Sequence, residues 1–205
     1  MTKKVLARAL VAVCSAALSV GLVAVQPAAA ATLPLNNWEA NVKTHVGALV
    51  NTDVAIPPGK MNATVDLTTK ALNGTLTLPP ATFSFTGLGI LPITVTFNVD
   101  ETGPLTGSVD LAANTVTASY PFNVRLSSVK LFGLLELLDP ATTCVSVTPT
   151  VADLTGTLSL PDSVHLTGNY AIPALQGCGG FNDLVSGFTA GPTNSLDVTV
   201  TPPPA

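Results

Sequence analysis

VTASYPFNVRLSSVKL, residues 116–131, is the stretch that decides the fold. Its apolar residues Val116, Ala118, Tyr120, Phe122, Val124 and Leu126 all carry even numbers, with mostly polar residues between them. A period of two puts them on one face of an extended strand, whereas a helix needs a period near 3.6. At Ser127-Ser128 the parity changes, because Val129 and Leu131 are odd. A one-residue slip would turn this second set away from the core, so the pattern predicts a β-bulge or a bend between sheets at the serine pair.

The same alternation continues on both sides. Val109 and Leu111 precede the stretch across a reversal at residues 112–115, and Phe83 and Phe85 lead through residues 87–92 to Ile93, Val95, Phe97 and Val99. Residues 100–104, DETGP, close that strand as a polar turn, and Val65 and Leu67 pair by pattern with residues 72–78 across 68–71. Trp38, Ala40, Val42, Thr44 and Val46 alternate with polar residues and read as a strand, although Trp38, Val42 and Val46 also fit a helical spacing. Pro57-Pro58-Gly59 is expected to break the chain, since two residues lack a backbone N–H. Downstream, Cys144, Val145 and Val147 form a short strand, Val164, Leu166, Tyr170 and Ile172 another, and Leu196, Val198 and Val200 the last. LTGTLSLPDSVHLTG (154–168) repeats the sense of LNGTLTLPPATFSFTG (72–87), either as a duplicated strand-turn-strand unit or as two convergent Thr-rich hairpins.

Two apolar runs stand outside this pattern. LFGLLELL (131–138) and FNDLVSGF (181–188) place Leu131, Leu134, Leu135, Leu138 and Phe181, Leu184, Val185, Phe188 at the same offsets, the stripe of a short helix. Six large side chains lie in the first run, and leaving all of them in water would forfeit roughly 1.5–3 kcal/mol each. That is too much against a net stability of about 5–15 kcal/mol, so burial is expected. Three readings of the pair of runs stay open. They plug the open end of the β framework, they line an apolar site for a lipid, glycolipid or hydrophobic peptide, or they dock on a protein or the cell envelope. The second names Leu134, Leu135, Leu138, Leu184, Val185 and Phe188 as site residues.

The chain opens with Lys3, Lys4 and Arg8 before a long Ala/Val/Leu run ending in small residues, the pattern of a secretory signal peptide over residues 1–31. Val13 before Cys14 is too bulky for lipid attachment there. Cleavage removes three of eight basic residues and none of the twelve acidic ones, leaving five against twelve, a net charge near −7. Nucleic acid is therefore not expected as a partner. Two cysteines remain, Cys144 and Cys178, and in an oxidising compartment they are expected to form a disulfide.

Catalytic groups are sparse. His45 and His165 fall on the polar sides of their strands, no G-x-S-x-G elbow is present, and a bridged cysteine pair offers no thiol nucleophile. Asp100-Glu101 lacks the ligand spacing of a calcium loop, and neither metal nor cofactor is expected. A hydrolase remains a minority alternative, because carboxylates distant in sequence can meet in the fold.

The expected product is all-β: an antiparallel β-sandwich, or alternatively a barrel, with two short apolar helical segments and one disulfide. Residues 32–200 form one domain and 201–205 a Pro-rich tail. The expected role is that of a secreted or envelope-associated, non-catalytic binding or structural module. Pro57-Pro58-Gly59, LPPAT (78–82), GILPITVT (89–96), GPLTG (103–107), LSSVKLFG (126–133), GNYAIPALQGCG (168–179) and GPTNSLDVTVTP (191–202) resemble segments of uncharacterised secreted all-β proteins of actinobacteria. They cover most of the mature chain. The resemblance implies secretion, β architecture and the disulfide, and no activity or ligand.

Overall fold

The computed structural model describes residues 31–48, 50–87, 89–138, 143–159 and 161–204. All but the last residue of the expected signal peptide lies outside them. The first strands are β1 (Thr32–Val46), β2 (Thr52–Asp66), β3 (Ala71–Thr77), β4 (Ala81–Gly87), β5 (Leu91–Glu101) and β6 (Leu105–Asp110). There follow β7 (Thr115–Leu131), β8 (Leu135–Glu136), β9 (Cys144–Ser146), β10 (Thr150–Ser159), β11 (Ser163–Ile172) and β12 (Leu175–Gln176). A short helix α1 (Asn182–Thr189) and the last strand β13 (Gly191–Thr201) complete the chain.

Hydrogen bonding closes eight of these strands into an antiparallel barrel in the order β10, β11, β13, β1, β2, β3, β6, β7, with β7 returning to β10. Closure leaves the ring no free edge, which in an open sheet would expose a row of unpaired N–H and C=O groups. The expected all-β fold is present, with the inward stripes where alternation put them. Val116, Ala118, Tyr120, Phe122, Val124 and Leu126 are all buried, as are Trp38, Ala40, Val42, Thr44 and Val46 on β1.

The central strand β7 serves two structures. Residues 115–122 pair with β10 inside the ring, whereas residues 122–131 leave it and pair with β5, which carries β4 at its far edge. The expected irregularity sits within this second half, beyond the point where β7 leaves the ring: Thr96 faces Ser128 and Phe97 faces Leu126, so Ser127 is the unpaired extra residue of a β-bulge. That one residue restores Val129 to the buried face on which Leu126 ends. The resulting β4–β5 flap turns Phe83, Val95 and Phe97 toward the ring interior.

Three expectations are corrected. Pro57-Pro58-Gly59 does not end a strand, because β2 runs through it. The register shifts between Ala40/Gly59 and Val42/Ile56, and β3 joins β2 only from Lys60, so the prolines sit in a bulge where no ladder N–H is required. Residues 131–138 form a hairpin arm instead of a helix: β8 folds back on β7 with Lys130 opposite Glu136 and Leu131 opposite Leu135. Phe132 and Gly133 both have positive φ, 53° and 69°, and Leu134 N donates to Leu131 O, the geometry of a type I′ turn. Finally, the two Thr-rich segments are not equivalent, since β10 and β11 pair as a hairpin while β3 and β4 pair with β2 and β5 respectively.

Candidate functional site: an apolar cavity under a disulfide-pinned lid

At the mouth where the β4–β5 flap meets the ring lies a narrow cavity with about 40 Å³ of room for the centres of water-sized spheres. One water needs roughly 10–15 Å³ by that measure. Ile56, Phe83, Phe97, Tyr120, Phe122 and Tyr170 form much of its wall, with Tyr120 stacked on Phe122 at 5.3 Å and Phe122 edge-on to Tyr170 at 5.7 Å.

The few polar atoms on that wall are already engaged. Tyr120 Oη donates to Leu76 O at 2.9 Å. Thr44 Oγ1 gives its proton to Ser195 O at 2.9 Å, so the 2.6 Å bond between Thr44 and Tyr170 has the phenol as donor. Thr189 Oγ1 donates to Val185 O at 3.0 Å. Burial, with lesser contributions from the Glu101 and Asp100 carboxylates, pushes the Tyr120 phenol well above its usual range and keeps it neutral. Burial likewise raises Tyr170, against the opposing Thr44 bond. An occupant would meet apolar surface and no free donor.

A second, smaller cavity of about 20 Å³ lies under α1, lined among others by Phe85, Leu137, Leu184, Val185 and Phe188. Val95, Leu126 and Thr189 belong to both walls, so these three residues separate the two spaces. The lid is α1 together with the segment before it. The Cys144–Cys178 disulfide ties that segment to β9, which pairs with β7 and β12. Ser186 Oγ accepts from Leu175 N at 2.8 Å, and Phe188 packs edge-on against Phe85 with ring centroids 5.6 Å apart.

The six apolar site residues expected from sequence divide into two groups. Leu138, Val185 and Phe188 are buried, and Leu184 lines the second cavity while 43% exposed. Leu134 and Leu135 stand out at 89% and 59% exposure, which corrects both their place in an enclosed site and the expectation that the whole first run is buried. A hairpin has two arms and a tip, so a run that would show one face as a helix here sends its tip into solvent. The two runs meet through Leu137, which the helical stripe omitted. The aromatic wall of the larger cavity was visible in the sequence only as strand core.

Glu136 pins the exposed hairpin. Its carboxylate accepts from Ser128 Oγ at 2.5 Å, Val129 N at 2.7 Å and Leu138 N at 3.3 Å. Burial raises this carboxyl, but those three donors and the neighbouring Lys130 outweigh it and hold it below the ordinary glutamate range. A depressed folded value means stabilisation present above the unfolded pKa and lost as pH falls through the folded one. Amide shifts of Val129 and Leu138 are therefore expected to titrate together with a midpoint below 4.5. Independence of pH in that range would show that the carboxylate does not hold the hairpin.

The histidines are not isolated. His45 Nδ1 lies 2.7 Å from Asp53 Oδ1 and His165 Nε2 lies 3.2 Å from Asp197 Oδ1, on the outer face of the ring. Ser195 stands opposite His45 across the β1–β13 pair, in a shallow groove shared with Lys43 and Asp197. Asp100 is bound in two-point fashion by Arg125, at 2.6 and 2.9 Å, and Glu101 accepts from Leu76 N. Among the described residues no three His, Cys, Asp or Glu side chains gather as a metal site, and no helix is long and apolar enough to cross a membrane. No protein-family model, curated protein or solved structure matches the chain.

Proposed function

We propose that this protein is a secreted or envelope-associated, non-catalytic module that holds a small apolar ligand in the mouth of its barrel. The observation that carries the reading is the larger cavity, whose wall is apolar and whose hydroxyls are all spent on protein partners. Eight-stranded barrels have interiors just wide enough to be filled by side chains or to hold one small ligand. Apolar cavities stay dry, and one of roughly 150 Å³ takes up benzene. A space of about 40 Å³ is smaller than the roughly 150 Å³ that takes up benzene, so a ring or chain segment enters only as the β4–β5 flap and the lid shift apart, and a longer tail would extend through the Val95–Leu126–Thr189 partition into the second space. The excess of acidic residues fits a partner that is not nucleic acid.

Native mass spectrometry of the purified mature protein, followed by organic extraction, tests this. The expected result is a single apolar adduct per chain that Val95→Phe removes, at a packing cost of about 1–3 kcal/mol. Protein that neither carries an adduct nor takes up a naphthalene-type probe would leave only a structural role.

The secreted-hydrolase alternative has one observation in its favour, the Asp53–His45 pair with Ser195 on the facing strand. Among the described residues no hydrogen bond joins His45 to the Ser195 hydroxyl, and Asp53 is 88% exposed, so nothing excludes water there. Ser195 is expected to stay unlabelled by a fluorophosphonate, and labelling that His45→Ala abolishes would revive the hydrolase.

A further inference from the structure

The two hairpin tips beside the lid carry features that the cavity does not explain. The β4–β5 tip presents Ile90, 78% exposed, and the β7–β8 tip presents Phe132, Leu134 and Leu135, exposed by 59%, 89% and 59%. The tips lie side by side, because Phe132 N donates to Pro92 O at 2.8 Å. No charged residue occurs in residues 87–92 or 131–135, in a chain with twelve acids.

A second observation is independent of exposure. Five residues other than glycine have positive φ among those described, and Asn37, Asn51 and Asn114 are three of them. The other two are Lys70 and Phe132. The first central position of a type I′ turn favours Asn or Asp, whose short side chains tolerate left-handed backbone, and a bulky aromatic there is an outlier. Phe132 thus holds a strained conformation and an exposed ring at once. Strain of this sort persists where function requires the side chain.

We propose that the paired tips insert into the apolar layer of a neutral lipid bilayer. A second protein surface fits the geometry less well. Exposed by 59–89%, the four side chains amount to fewer than three fully exposed residues, and even at an aromatic's upper figure of roughly 250 Å² each they fall short of the ~800 Å² per partner of a stable protein interface. A bilayer needs no complementary surface, and the uncharged tips enter it without stripping water from a charge. The proposal stands on the tips alone, so it can fail while the cavity still takes a ligand, or hold while the cavity stays empty.

Flotation with phosphatidylcholine vesicles, and with vesicles of phosphatidylcholine mixed with phosphatidylglycerol, decides it. Wild-type mature protein floats with the neutral vesicles, and Phe132→Asn and Ile90→Ser each weaken binding by roughly tenfold or more. Phe132→Asn raises Tm at the same time, because Asn suits the turn, whereas a merely structural Phe132 would make that variant less stable. Should Phe132→Asn fail to fold, Ile90→Ser and Leu134→Ser decide by flotation alone. Four results overturn the proposal: wild type that stays in solution at millimolar lipid, tip variants that float like wild type, binding only to the anionic vesicles, or a wild-type dimer that the tip variants dissolve.

Discussion

Phe188→Ala is expected to lower the unfolding free energy by about 3–5 kcal/mol. The ring is 7% exposed on the last turn of α1, meets Phe85 edge-on, and covers Gly87, where even an added Cβ would lie 3.4 Å from it. The backbone can close little over the space, since Phe85 and Ile93 stand on paired strands and α1 is tied by the Ser186–Leu175 bonds. The cavity term should therefore fall near the upper part of the range. A second consequence separates this from a generic core defect. The truncation enlarges the space under α1, which is lined by apolar residues, so benzene or indole at saturating concentration should recover part of the lost Tm by binding the folded state. Urea denaturation with and without benzene measures both effects. A loss below about 1 kcal/mol, with no recovery, would show that the helix rests loosely on the barrel.

Much of this scaffold can be read from residue parity alone. Strand β7 is legible because a period of two turns any register slip into a change from even to odd, and the slip at Ser127 is the bulge inside the β5–β7 ladder of the flap. The reversals at residues 112–115 and 100–104 are legible because Gly, Pro, Asn and Asp mark them. Ring closure is not legible, because it depends on β10 meeting the first half of β7, a pairing of residues such as Leu154 and Ala118 that no local pattern announces. Pro57-Pro58 misleads for the opposite reason: a local rule holds, and a bulge with no partner on one side evades it.

The candidate site is half legible. Val185 and Phe188 lie on a real helix whose stripe faces the core, whereas Leu131, Leu134, Leu135 and Leu138 share helical offsets by coincidence on a hairpin. Phe132-Gly133 conceals the turn, since the favoured signal at those positions is Asn-Gly. The cavity itself follows from how wide eight strands stand around Tyr120, Phe122 and Tyr170, a property of closure that composition does not carry.

Replacing Cys144 and Cys178 together with serine is expected to cost about 3–4 kcal/mol by loop-closure entropy, for cysteines 34 residues apart. Where the loss falls matters more than its size. The loop that the bridge closes contains β10 and β11, but both are held in the ring by continuous ladders to β7 and β13. The lid has no such support. Helix α1 is eight residues long, contains Ser186 and Gly187, and lacks a side-chain cap at its N-terminus. An isolated helix of that length is unstable in water, so its order comes from packing and from the covalent tie at Cys178. In the reduced or doubly substituted protein, amide exchange is expected to quicken first across residues 175–190, while β1, β2 and β13 keep the protection of the intact barrel. Hydrogen exchange followed by mass spectrometry resolves these segments. If ring and lid instead lost protection in one step, the bridge would be a staple for the whole domain, and a mouth that opens without unfolding the barrel would have to be abandoned. If the lid alone loosens, an apolar probe should enter the smaller space under α1 faster after reduction with its equilibrium affinity reduced, because Phe188 and Val185 then leave the wall they complete.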